Sequence, residues 1–199
     1  MKKRTTAGKE KTRRQLEQTI AAYQKLAEED WLTGLYNGRA MEEKAGEYLK
    51  RNRAGSMILM DIDQFKKIND TYGHIIGDQL LQDIASVLKK MFPSGCLIGR
   101  CGGDEFAIFM PQTLEEEDIQ RRCRQIRERF VRVEVNGTVI LRLSMTICGG
   151  SYHPGFGYKD LFDLADQKIV KEKRSRTGET LERAAVADVN GDEIRIDMK

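Results

Sequence analysis

No apolar run in this chain reaches the length of a membrane span, and no signal-peptide pattern opens it. A strong excess of one charge is also missing. Lysine and arginine number 34 against 31 acidic residues, a net charge of +3, and no basic stripe marks a nucleic-acid groove. The four cysteines, Cys96, Cys101, Cys123 and Cys148, lack the close paired spacing of a zinc site and read as free thiols of a reducing compartment. Histidine is scarce: His74 reads as a packing or turn residue rather than a base, and His153 has no readable role. What remains is cytosolic in character, no membrane contact being expected of this segment. The beginning of the chain looks like that of a cut-out piece, compatible with a sensor or membrane module ahead of Met1. The 199 residues, 40% hydrophobic and 33% charged, suit one globular domain with appendages and a sizeable core.

The stretch that organises the rest is Arg100-Cys101-Gly102-Gly103-Asp104-Glu105-Phe106. Apolar Leu97-Ile98 leads in and Phe106–Met110 leads out, so the stretch reads as a hairpin whose turn carries two adjacent carboxylates. Gly102 and Gly103 allow backbone to approach a bulky ligand, and Asp104 and Glu105 suit a hard cation. By itself this is also the pattern of an ordinary turn with solvated acids. A second acidic block changes the balance. It runs from Asp61-Ile62-Asp63 through Phe65, Lys66, Asn69 and Asp70 to Gly73-His74 and Gly77-Asp78.

With both blocks and Leu32-Thr33-Gly34-Leu35-Tyr36-Asn37 in the same order, the chain resembles the GGDEF family of diguanylate cyclases from about Asp30 to about Lys173. The resemblance implies a domain over residues 30–177, preceded by a linker or stalk helix over 1–29 and followed by an extension over 178–199 that has no family counterpart. It implies condensation of two GTP into cyclic di-GMP with release of two pyrophosphates, by a homodimer whose half-sites face each other. It also implies control from an upstream sensor domain. Mg²⁺ (or Mn²⁺) would be held by Asp61, Asp104, Glu105 and the carbonyl of Ile62, with Asp104 and Glu105 catalytic. Guanine recognition falls to Asn69 and Asp78, and phosphate contacts to Lys173, Lys66 and Phe65. The chemistry agrees, because guanine's Watson–Crick edge sets N–H donors beside an acceptor, which a carboxylate and an amide can match. The alternative within the family is a degenerate domain that binds GTP or a partner protein without turnover.

Local patterns place these residues on elements. Residues 1–12 are basic and polar and read as frayed. A helix over 13–30 carries the apolar stripe Leu16, Ile20, Tyr23 and Ala27, which suits either packing on its own domain or a parallel coiled-coil stalk. Gly34 breaks that helix, and Asn37 caps another over 38–53, with Met41, Ala45, Tyr48 and Leu49 inward. Ser56–Asp61 is a buried strand. Asp61 and Asp63 share a face only if the chain stays extended past Asp61, and Asp63 is read as a supporting residue.

A short helix follows over 65–72, with Phe65 and Ile68 inward and Lys66, Asn69 and Asp70 outward. A longer one spans 78–91, where Asp78 is either an N-cap or a guanine ligand. Downstream, a charged helix covers 113–130, and Asn136-Gly137 joins two strands of which the second continues through Cys148. A last helix spans 159–174, and Asn190-Gly191 turns a small strand pair, 185–187 with 194–196. The expected fold is α+β, a mainly antiparallel central sheet flanked by helices, as in the palm of nucleotide cyclases and polymerases.

Three departures from the family pattern bear on the site. Glu172 stands where the family has alanine, Arg176-Thr177 where it has Gly-Arg, and Cys148 where it usually has glycine. Lys171, Arg174 and Arg176 are nearby cationic substitutes. The product-inhibition motif Arg-x-x-Asp falls on Pro93 and Cys96, so no inhibition through that site is expected.

Overall fold

Seven consecutive buried residues, Ser56–Ile62, form the strand β2 at the middle of the molecule, as a continuous apolar run flanked on both faces requires. The computed structural model describes residues 3–135 and 139–187. In chain order the other elements are α1 (Lys3–Glu28), β1 (Tyr36–Asn37), α2 (Gly38–Asn52), α3 (Phe65–Tyr72), α4 (His74–Met91), β3 (Leu97–Arg100), β4 (Glu105–Met110), α5 (Glu116–Arg129), β5 (Arg132–Val135), β6 (Val139–Arg142), β7 (Met145–Ser151) and α6 (Tyr158–Ala187). The main sheet has the order β1-β3-β4-β2-β7, antiparallel at every junction except β1–β3. This is the expected α+β architecture. β5 and β6 form a separate two-stranded sheet.

Alternation along β2 sorts its side chains into two cores. Ile58, Met60 and Ile62 join Leu80, Ile84 and Leu88 of α4 and Ile119 and Ile126 of α5. Met57 and Leu59 face the other way, against Met41 and Leu49 of α2 and Leu161 and Ile169 of α6. Asp61 therefore falls on the α2/α6 face. β4 obeys the same parity, with Ala107 and Phe109 on that face, and carries Glu105 there too.

Several elements follow the local pattern closely. Asn37 caps α2, its side-chain oxygen accepting from the Ala40 N–H at 2.9 Å. α3 ends at Gly73, whose φ of 85° favours glycine. Elsewhere the structure departs from the expectation. α1 begins at Lys3, inside the segment expected to fray, and its stripe of Leu16, Ile20, Tyr23 and Ala27 is exposed rather than packed on the domain, whereas its last turn meets α2 through the Lys44–Glu28 pair at 2.9 Å. α4 begins at His74, because the Gly73 turn suffices to start it, and Asp78 lies inside the helix rather than at its N-cap. α5 starts at Glu116, with Leu114 in the preceding loop. The strand after the second hairpin is interrupted at Leu143-Ser144, and β7 leaves β6 to pair with β2. α6 runs on to Ala187, so residues 185–187 are helical rather than extended. The Asn136-Gly137 turn and residues 188–199 lie outside the described residues.

Candidate active site at the signature turn

β2 and β4 pair so that Asp61 stands directly opposite Glu105, and the Ile62 N–H points to the Asp104 carbonyl at 3.4 Å. Two of the expected metal-ligand side chains thus come from adjacent strands, and the third from the turn that leads into β4. Asp61 is nearly buried, whereas Asp104 is half-buried and Glu105 exposed. Burial, then the charge of Asp61, raises the pKa of both Asp104 and Glu105 above the ordinary carboxylate value. For Glu105 the charges of Asp104 and Asp166 add to the effect. Negative charge is therefore crowded at this corner.

Among the described residues no three acidic, cysteine or histidine side chains already form a metal cage. The positive charge at Asp61 is supplied by Lys173 of α6, whose Nζ lies 2.6 Å from Asp61 Oδ1. The donor set nonetheless fits a hard divalent cation: it is all oxygen, and a cation would relieve the repulsion that raises Asp104 and Glu105.

The turn itself is held by Arg100. Its Nε and Nη2 donate to the Gly103 carbonyl at 3.1 and 2.7 Å, and Nη1 reaches Asp30 Oδ1 at 3.1 Å. Asp30 also accepts from the Thr33 N–H at 3.0 Å and the Thr33 hydroxyl at 2.6 Å. Burial opposes the charge of Asp30, but the Thr33 donors and Arg100 outweigh it and hold the carboxyl below its ordinary pKa. Gly102 and Gly103 differ in kind. A Cβ on Gly102 would meet Glu105 Oε2 at 2.5 Å, since that side chain folds back over the turn, whereas Gly103 faces open space. The Arg100–Asp30 link was not legible in the motif, because nothing local connects the two positions.

The expected guanine residues lie on neighbouring helices. Asn69 of α3 was expected to point outward, but its side chain turns toward α4 over Gly77, where an added Cβ would stand 1.8 Å from Asn69 Oδ1. That oxygen is buried and has no hydrogen-bond partner. Asp78, one residue further along α4, is exposed. Phe65 packs half-buried against the α4 core and Lys66 is exposed.

The departures noted in the sequence meet at one place beside this corner. Glu172 accepts from the Cys148 thiol at 3.1 Å, pairs with Arg127 at 3.4 Å and pairs with Arg176 at 2.9 Å. Burial, then Glu172, pushes the Cys148 thiol up to about 12. Arg176 also pairs with Asp63 at 3.2 Å, and Asp63 accepts from Ser144 and Thr146 of the β7 side. Asp61 and Asp63 thus both face α6, but Asp63 is engaged by donors of β7 and α6. Pro93 and Cys96 close the turn before β3, the Cys96 N–H donating to the Pro93 carbonyl at 3.0 Å.

A family model described as "Diguanylate cyclase, GGDEF domain" matches residues 27–179. The chain belongs to the GGDEF family. Diguanylate cyclase VdcA of Vibrio cholerae is 41% identical over 96 residues, 48% of this chain and 28% of VdcA. The response regulator PleD of Caulobacter vibrioides is 36% identical over 173 residues, 80% of this chain and 37% of PleD. GGDEF relatives of solved structure include the coiled coil and GGDEF domain of DgcB from Caulobacter crescentus in complex with c-di-GMP. It superposes with a TM-score of 0.69 at 26% identity, covering 86% of this chain and 91% of that one. The chain spans between 25% and 43% of the length of the first curated relatives it matches. Among the described residues, no helix of this GGDEF protein is long and apolar enough to cross a membrane.

Proposed function

We propose that this chain is a diguanylate cyclase, joining two GTP molecules into cyclic di-GMP. The observation that carries the reading is the meeting of Asp61 and Glu105 in register across β2 and β4, on the face that α6 covers with Lys173, within a GGDEF domain. The orphaned Oδ1 of Asn69 supports the guanine assignment, since a buried acceptor without a donor suits the N–H groups of a purine edge. Asp78 supplies a second acceptor. Lys66 and Phe65, at the start of α3, and Lys173 complete the substrate contacts.

Asp61, Asp104, Glu105 and the Ile62 carbonyl would hold a divalent cation, which would supply charge neutralisation at the triphosphate and acidify the ribose 3′-hydroxyl. The 3′-hydroxyl of one GTP attacks the α-phosphorus of the other in line. A P–O bond forms, the bond to the bridging oxygen breaks, pyrophosphate leaves and the hydroxyl proton passes to solvent. The same exchange in the opposite sense closes the ring. The carboxylates and Lys173 act by positioning and charge stabilisation.

Each domain holds one nucleotide, so two domains must face each other. The exposed stripe of α1, Leu16, Ile20, Tyr23 and Ala27, is the surface that pairs them as a parallel stalk. With Pro93 and Cys96 where a charged product site would stand, product inhibition by that route is absent. A sensor upstream of the stalk would control the pairing.

GTP turnover with Mg²⁺ or Mn²⁺ tests the reading, with cyclic di-GMP and pyrophosphate measured at rising protein concentration and Glu105→Gln as control. A specific rate that rises with concentration and falls by at least about a hundredfold in the control supports it. GTP binding without product would favour the non-catalytic family reading, for which the Glu172 carboxylate, paired with Arg176 in the helix turn that carries Lys173, is the supporting observation.

A further inference from the structure

Two ion pairs join α6 to the end of β2. Lys173 meets Asp61 at 2.6 Å and Arg176 meets Asp63 at 3.2 Å. Three positions along α6 match two along the chain, from Asp61 in the strand to Asp63 just past its end, so the pairs are successive rungs on the same stretch. The rungs are unlike. Arg176 uses a rigid fork that reaches Glu172 at 2.9 Å and the Met145 carbonyl at 3.4 Å besides Asp63. Asp63 in turn accepts from Ser144 and Thr146. Lys173 brings a point charge on a flexible stem to Asp61; its side chain is 41% exposed, close to the 37% of Arg176, so the rungs differ in the rigid fork against the flexible stem rather than in exposure.

That asymmetry has a direction. A nearly buried carboxylate needs a cation at all times, because its unpaired charge is costly in a poorly solvated place. A half-exposed ammonium has water to fall back on, so it can leave at little cost. Asp61 must therefore be neutralised by something, but not by Lys173 in particular.

We propose that Lys173 is an internal counter-ion of Asp61 that changes places with the divalent cation, while the Arg176–Asp63 rung keeps α6 in register. The exchange is then a side-chain movement on a fixed helix. It releases the lysine to the nucleotide's phosphates at the moment the metal arrives, so metal and triphosphate bind cooperatively. In the nucleotide-free domain Lys173 competes with the metal and keeps it weakly bound. Asp63 and Arg176 are positioning residues, which explains why a carboxylate two positions from Asp61 is tied to β7 and α6. The inference rests on the cyclase reading for its phosphates, but its first half concerns Asp61 and the metal alone.

The test is Mn²⁺ binding to the full chain without nucleotide, followed by electron paramagnetic resonance of free Mn²⁺. Removing the competing ammonium in Lys173→Met is expected to tighten binding by about five- to twentyfold, as a lost competitor of roughly 1–2 kcal/mol would. The same variant should bind a non-hydrolysable GTP analogue more weakly. Lys173→Gln is the second variant, with circular dichroism to establish that it folds, and should show the same opposed pair of effects. Arg176→Met should weaken both ligands together. Unchanged or weaker Mn²⁺ binding in a folded Lys173→Met or Lys173→Gln overturns the exchange. Tighter Mn²⁺ binding in a protein that never turns over GTP would keep the exchange and remove the cyclase reading instead.

Discussion

Arg100 and Asp30 meet at 3.1 Å although 70 residues separate them in the chain. Asp30 follows the end of α1, and Arg100 grips the Gly103 carbonyl of the signature turn. One guanidinium therefore joins the exit of the first helix to the loop that carries Asp104 and Glu105. Both side chains are largely buried, 13% and 16% exposed, so the contact is protected from screening more than a surface pair is.

Asp30→Asn should lower stability at neutral pH by about 1–3 kcal/mol, because it weakens a charge-assisted pair and leaves Arg100 short of a partner. The pKa of Asp30 is depressed in the folded state, so its contribution is present above the unfolded carboxylate value of about 3.9 and is lost as pH falls through the lower folded value. Urea unfolding as a function of pH should show the gap between wild type and Asp30→Asn closing in that acidic range. A gap that is constant with pH would contradict the charge argument.

Asn69 offers the opposite behaviour. Its Oδ1 is buried without a hydrogen bond, so truncation removes an unsatisfied group. Asn69→Ala should leave the melting temperature within a few degrees of wild type or raise it, while raising KM for GTP by roughly ten- to a hundredfold. A large loss of stability with unchanged KM would assign Asn69 to packing over Gly77 instead.

Glu172 is a hub rather than a solvated acid. It engages Cys148, Arg127 and Arg176, and Arg127 already has a buried Nε without a partner. Glu172→Ala should cost about 1–3 kcal/mol in chemical denaturation, and Glu172→Gln less. Adding Cys148→Gly to Glu172→Ala should be non-additive, since the two side chains touch.

The α1 stripe is exposed along Leu16, Ile20 and Tyr23. Leu16→Glu with Ile20→Glu should lower the dimer fraction in sedimentation equilibrium by at least about tenfold without altering the unfolding transition of the domain. A monomeric wild type at high concentration would remove the stalk from the mechanism.

The sequence by itself determined the elements whose signals are local. The apolar run of β2, the Asn37 cap and the amphipathic faces of α2 and α4 depend on spacing within one or two turns, and spacing survives folding unchanged. It also brought the carboxylates of the site into view, because the family's motifs are contiguous. Element ends were less legible. α1, α4 and α6 all extend beyond their apolar patterns, since a helix, once nucleated, propagates through polar residues that no periodicity marks.

Only the tertiary structure decided which charged and polar groups meet. Lys173 with Asp61, Arg176 with Asp63, Arg100 with Asp30 and Glu172 with Cys148 are partners of strand parity and helix placement, not of sequence distance. Three basic residues near Lys173 looked interchangeable as phosphate ligands, yet the fold gives Arg176 to Asp63 and Glu172. The reason is physical: an ion pair depends on a few ångströms between side chains, and that distance exists only after β2, β7 and α6 have packed.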